Sequence, residues 1–177
     1  SSFFSESVNR FKLNKLINQM YRKRKNSEAG HLCSIAILSS NEEKAQQAYD
    51  ITSRIKAALS NVELGAKDLL HNDYSMRLYD ATARDFGPLL VYIGELAKAL
   101  GDFTELVRFI MEGIDDDDKD IPSYWESKII LRRLDAYVIL LKNFGVWDEK
   151  RDEVFWIQKR RLPPDMAKND NDPEYII

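Results

Sequence analysis

Residues 51–70 read ITSRIKAALSNVELGAKDLL, and the apolar positions in that stretch decide the fold class. Ile51, Ile55, Leu59, Val62, Ala66 and Leu69 recur every three or four residues, so they line one face of an α-helix roughly five turns long. A stripe of that length needs cover, which points to further amphipathic helices elsewhere in the chain. Upstream, Ser39-Ser40-Asn41 followed by Glu42 and Glu43 is a helix-start signal, with capping side chains before acidic residues that suit the positive end of the helix dipole. Downstream, His71-Asn72-Asp73 breaks the pattern.

Toward the amino terminus, an apolar segment from His31 to Leu38 is preceded by a turn over Asn26 to Gly30. Before that turn, Phe4, Val8, Phe11, Ile17 and Tyr21 alternate at helical spacing with Arg10, Lys12, Lys15 and the run Arg22-Lys23-Arg24-Lys25, which predicts a cationic amphipathic first helix. Toward the carboxy terminus, a helix is expected from Tyr74 up to Gly87-Pro88, where proline lacks a donor and clashes with the preceding turn. Helix resumes at Pro88 through Leu89, Leu90, Ile93, Leu96 and Leu100. Gly101 is expected to end it, and Phe103 to Met111 to form a separate short helix closing near Gly113. Asp115 to Asp118 reads as a solvated loop. Pro122 then opens a helix with Trp125, Ile129, Leu134, Val138 and Leu141 on its apolar face up to Gly145. A modest final helix over Trp147 to Arg161 precedes Pro163-Pro164 and a polar tail. No strand alternation of useful length and no internal repeat is present. The expectation is one all-α domain over residues 1–162, with an amino-terminal arm at 1–30 and an extended tail at 163–177.

A chain of 177 residues with 44% hydrophobic and 31% charged residues has the composition of an ordinary globular domain. Its formal net charge of -3 gives no bulk signal for nucleic acid or a membrane surface. No run of about 18 apolar residues exists to cross a membrane, and the opening residues carry no apolar signal core. The single cysteine, Cys33, excludes an internal disulfide and sits among apolar neighbours as a small hydrophobe.

Residues able to carry chemistry are sparse. His31 and His71 have no Cys, Asp or Glu at metal-ligand spacing, and neither an H-E-x-x-H motif nor a glycine-rich phosphate loop occurs. Asp115 to Asp118 lacks the alternating ligands, central glycine and distal glutamate of an EF-hand. The basic run Arg22 to Lys25 lacks interleaved aromatics, so a patch facing an acidic partner is a better reading than nucleic acid. No nucleophile, base and orienting partner can be placed together, and no catalytic or metal residue is assigned.

One segment is more specific. Tyr74-Ser75-Met76-Arg77-Leu78-Tyr79-Asp80-Ala81-Thr82-Ala83-Arg84-Asp85 resembles the phycobiliproteins, above all their β-type and allophycocyanin chains, where a helix carries Y-x-x-R-x-Y-x-A-C-x-R-D. Ala48 to Ser53, Leu90 with Tyr92, Gly101-Asp102, Leu106 to Gly113 and Pro122 keep that family's order. The resemblance is best over residues 48–122. It implies a globin-like helical domain with an amino-terminal helical arm.

The departures from the family define what the resemblance implies for function. Thr82 stands where the family has its bilin-bearing cysteine, and a hydroxyl cannot form that thioether, so no covalent bilin is expected. The positions of Arg77, Arg84 and Asp85 match those that hold the pigment's propionates and pyrrole nitrogens in the family, which leaves noncovalent bilin binding open; Tyr79, Phe86 and Leu89 are expected to fill the space. The family's arm packs on another phycobiliprotein, so Phe3, Phe4, Phe11 and Leu13, with Tyr175, Ile176 and Ile177 of the tail, are the expected partner contacts. The resemblance implies a pigment-free structural or linker subunit of a phycobilisome. Its partners are other phycobiliproteins or linker proteins, not nucleic acid, and it is at most peripheral to the thylakoid membrane. Its place is a red-algal plastid stroma or the cyanobacterial cytoplasm. The alternatives are a noncovalent tetrapyrrole binder and a generic helical adaptor outside photosynthesis.

Overall fold

The computed structural model describes residues 6–78, 85–149, 153–161 and 173–177. Along the chain run α1 (Arg10–Met20), the strands β1 (Arg22–Arg24) and β2 (Ser27–Ala29), α2 (His31–Leu38), α3 (Glu42–Ala45) and α4 (Gln47–Leu70). They are followed by β3 (Ser75–Arg77), α5 (Gly87–Glu112), α6 (Pro122–Gly145), β4 (Trp156–Arg161) and β5 (Pro173–Ile176). Single 3-10 turns occupy Asp116–Asp118 and Trp147–Glu149. The chain is mostly helical, as expected, with two small antiparallel sheets that the periodicity did not announce.

The long helix α4 buries the stripe read from its sequence, Ile51, Ile55, Leu59, Val62, Ala66 and Leu69, against α5. In turn α5 packs on α6, so α5 is covered on both sides and its buried set runs the length of the helix, from Leu89 to Met111. Ion pairs brace the outer edges of these contacts: Arg54 Nη2 to Asp102 Oδ2 at 2.7 Å joins α4 to α5, and Arg108 Nη2 to Asp135 Oδ2 at 2.7 Å joins α5 to α6. Both pairs are solvated, so burial of the helix faces carries most of the stabilisation.

Pro88 occupies the first turn of α5, where its missing donor costs nothing. Gly101 does not end that helix as expected. The helix runs unbroken past it to Glu112, because Leu96, Leu100, Phe103, Val107 and Ile110 continue one buried face, and that burial outweighs a glycine penalty of about 1 kcal/mol.

At the amino terminus, Asn9 caps α1 by accepting the Lys12 amide at 2.9 Å, and Leu13, Leu16, Ile17 and Met20 form its buried face. The basic run expected to end this helix is instead β1 of a tight hairpin, with Arg22 opposite Ala29 and Arg24 opposite Ser27. Lys25 turns the hairpin with φ 56°. Gly30 leaves it at φ 115°, and a Cβ there would collide with the Met20 carbonyl, so only glycine brings α2 this close to the end of α1.

The segment from Tyr74, expected as helix, enters β3. Ser75 pairs with Gln158, Met76 with Ile157 and Arg77 with Trp156. Met76 and Leu78 are buried while Ser75 and Arg77 are exposed, a two-residue alternation too short to be legible in sequence. The expected final helix over Trp147 to Arg161 is corrected in the same way: among the described residues of that span, Trp147–Glu149 is a 3-10 turn and Trp156–Arg161 is the central strand β4. The end of the tail does not leave the core either. In β5, Tyr175 pairs with Lys159 and Ile176 with Gln158, which completes the sheet order β3-β4-β5.

Candidate functional site

Two clefts are candidate sites. The first lies where α4 ends and α5 begins and measures about 350 Å³; Asp68, Leu69, His71, Asp85, Leu89 and Tyr92 border it. Asp85 Oδ1 accepts the Gly87 amide at 2.9 Å, so this carboxylate caps the free end of α5 rather than standing unengaged. Gly65 faces the cleft from α4, and the Tyr92 ring lies within contact of the space a side chain there would take.

Among the described residues expected at a pigment site, Asp85 borders this cleft, together with Leu89, which was expected to fill the space. Arg77 is exposed on β3 and does not line it. Thr82 and Arg84 lie outside the described residues, as does Tyr79. Leu89 is fully buried, and Phe86 is half-buried with its ring edge-on to Trp147, centroids 5.8 Å apart. No group of three or more His, Cys, Asp or Glu side chains able to hold a metal occurs among the described residues.

The second cleft, about 540 Å³, runs between α1 and α6. Lys12, Lys15 and Gln19 border it from α1, Arg133 and Tyr137 from α6, and Glu6 from the preceding segment. Lys12, Lys15 and Gln19 share a face by helical spacing and are all exposed. Burial raises the Tyr137 phenol above its ordinary range, with Arg133 opposing the shift and Glu6 adding to it. Because α1 leads directly into β1, the exposed cations Arg22, Lys23, Arg24 and Lys25 continue the basic character of this cleft at one end. Lys23 Nζ lies 4.5 Å above the Tyr49 ring, which anchors the hairpin to α4. The spacing of Lys12, Lys15 and Gln19 was readable in the sequence; their juxtaposition with Arg133, more than a hundred residues away, was not.

The expected partner contacts need correction. Leu13 is 0% exposed, Tyr175 7% and Ile177 8%, so these side chains are spent on the chain's own core. Phe11 is half-buried beneath the Arg10 guanidinium, 5.8 Å from its centroid, and Ile176 is half-buried. Phe3 and Phe4 lie outside the described residues. The large apolar side chains that do reach solvent include Trp125 (52% exposed) and Ile129 (48% exposed), one turn apart near the start of α6. Sequence periodicity had placed both on the buried face of that helix. The buried face instead follows Ser127, Ile130, Leu134, Val138 and Leu141.

No family model matches this chain, and neither the curated proteins nor the solved structures contain a match. No described helix is long and apolar enough to cross a membrane.

Proposed function

We propose that this chain is a non-catalytic structural subunit that works through contacts with other proteins, and that the assembly is a phycobilisome, in a red-algal plastid or the cyanobacterial cytoplasm. The observation that carries the contact-making reading is the basic cleft between α1 and α6, open to solvent and continued by the basic hairpin, in a chain of net charge -3. Segregated charge of this kind steers and selects protein partners. The phycobilisome enters through the sequence resemblance over residues 48–122. That resemblance rests on residue order, and Ser75–Arg77 within it is a strand here. In this reading other phycobiliproteins or linker proteins are the partners, and Thr82 leaves the chain without covalent pigment.

A second reading rests on the cleft at Asp85. Its volume of about 350 Å³ falls in the range of small-molecule sites, which favours a noncovalently held ligand such as a tetrapyrrole.

Purification of the tagged chain from its native source tests both readings. Phycobiliproteins or linker proteins are expected to co-purify, and zinc-induced fluorescence on a denaturing gel is expected to be absent at this chain's mass. Visible absorbance that is lost on denaturation and extraction would favour the second reading. A preparation free of any phycobilisome component would remove the first.

A further inference from the structure

We propose that the basic cleft between α1 and α6, together with the β1–β2 hairpin, is the seat for the acidic segment Asp115–Asp120 of a second copy of this chain. The inference names one partner for the contact-making reading above. It does not depend on which larger assembly the chain joins.

The hairpin and the acidic segment lie at the same end of the molecule, and the cleft runs on from there along α6 as far as Arg133 and Tyr137. His31 Nδ1 is 3.1 Å from Ser123 Oγ, so the base of the hairpin, which ends at Ala29, sits beside the first turn of α6. The acidic segment ends at Asp120, two residues before α6 begins at Pro122. Asp115, Asp116, Asp117 and Asp120 are exposed and Asp118 half-exposed. Lys119 is the one cation within the segment, and it pairs with Asp116 at 2.8 Å. On the basic side, Arg22, Lys23, Arg24 and Lys25 form no ion pair among the described residues, Glu28 stands opposite Lys23 in the hairpin, and Glu6 is the one carboxylate among the described residues bordering the cleft beside Lys12, Lys15 and Arg133. No ion pair joins the two surfaces within one chain among the described residues, so both charges remain available to a neighbour.

A surface carrying both signs side by side is complementary to itself under a two-fold axis. Each copy then offers its acidic segment to the other's hairpin and cleft, and the contact closes as a dimer rather than growing. Trp125 and Ile129, half-exposed in the first two turns of α6, stand at the same end and supply the apolar centre that charge alone lacks. A nucleic acid in the same cleft would bring its phosphates against the five aspartates at that end, which disfavours it.

Light scattering and sedimentation of the full chain test this at about 50 mM and about 500 mM salt, a range over which charge screening shortens to below about 5 Å. A particle of twice the monomer mass is expected at low salt and the monomer at high salt. A cleft-reversed variant (Lys12→Glu, Lys15→Glu, Arg24→Glu) and a segment-reversed variant (Asp115→Lys, Asp117→Lys) are each expected to be monomeric at low salt, and their equimolar mixture to restore the dimer. Circular dichroism and the unfolding midpoint check that both variants fold. A wild-type monomer at low salt, a dimer indifferent to both reversals, or a mixture that stays monomeric overturns the inference. A monomer that still co-purifies with phycobilisome proteins overturns this inference alone; a salt-sensitive dimer that does not co-purify supports it and removes the phycobilisome reading.

Discussion

The backbones of Val8 and Ile177 exchange two hydrogen bonds, Val8 N to Ile177 O at 2.9 Å and Ile177 N to Val8 O at 3.0 Å. The segment leading into α1 thereby extends the sheet beyond β5, with Asn9 opposite Ile176. The two ends of the described chain hold each other. A surface arm and a tail awaiting a partner would leave these backbone groups to solvent; here they are paired, and Val8, Tyr175 and Ile177 are buried with them.

Removal of residues 173–177 is therefore expected to destabilise the fold. It exposes Val8 and the edge of β4 and deletes two buried side chains, each worth about 1.5–3 kcal/mol on transfer to water. A loss of about 3–5 kcal/mol is expected in urea unfolding. Deletion of residues 1–13 is expected to be at least as costly, because it removes Val8 and Leu13 together with the Asn9 cap. An unchanged midpoint for either truncation would show that the terminal pairing contributes nothing to stability.

Two glycines should respond in opposite directions to the same substitution. Gly30→Ala puts a Cβ against the Met20 carbonyl at φ 115°, and a loss of about 2–4 kcal/mol is expected. Gly101→Ala meets nothing within 4 Å and removes a flexible residue from the middle of α5, so a gain of about 0.5–1 kcal/mol is expected. Denaturant midpoints of the two variants decide the matter, and a destabilised Gly101→Ala would mean that α5 bends or breaks there.

The rings of Phe144 in α6 and Phe155 before β4 meet edge to face, centroids 5.5 Å apart. Phe144 is among the largest fully buried side chains. Phe144→Ala should cost about 3–5 kcal/mol. Hydrogen exchange should report faster opening of β4 than of α4. Uniform acceleration over all elements would instead place the ring in the global core with no special tie to the sheet.

The alkaline limb of stability should carry the signature of Tyr21. Burial, with the Glu28 carboxylate nearby, holds its phenol well above the ordinary value near 10, while the unfolded chain ionises close to that value. The folded state keeps a proton that the unfolded state releases, so this contribution is complete below about pH 10 and declines as pH rises further. Tyr21→Phe is expected to leave stability near pH 7 almost unchanged and to flatten the decline above about pH 10. Equal slopes for both proteins would show that Tyr21 ionises freely.

Cys33 is shifted the same way, raised by burial first and by Glu28 second, with Arg22 and a backbone hydrogen bond opposing the shift. Its alkylation in the native protein should be slower than that of a free thiol at pH 8. Reaction at the free-thiol rate would show that it is not shielded.

What the sequence determined by itself is the helical framework. The stripe from Ile51 to Leu69, the break at His71, the start at Pro88 and the helix from Pro122 to Gly145 are local properties, set by apolar spacing and by residues that cannot continue a helix. What only the tertiary structure decided is everything that depends on pairing across the chain. Met76 is a strand residue because Ile157 lies opposite it, and Ile157 is one because Met76 and Tyr175 flank the same strand. None of the three segments alternates long enough to declare itself, since a short strand gains its hydrogen bonds only when the partner arrives. The basic cleft is divided in the same way. Lys12 and Lys15 share a helix face by spacing alone, whereas Arg133 joins them only because α6 packs beside α1. Charge facing charge across two elements is a property of packing, and no local spacing encodes it.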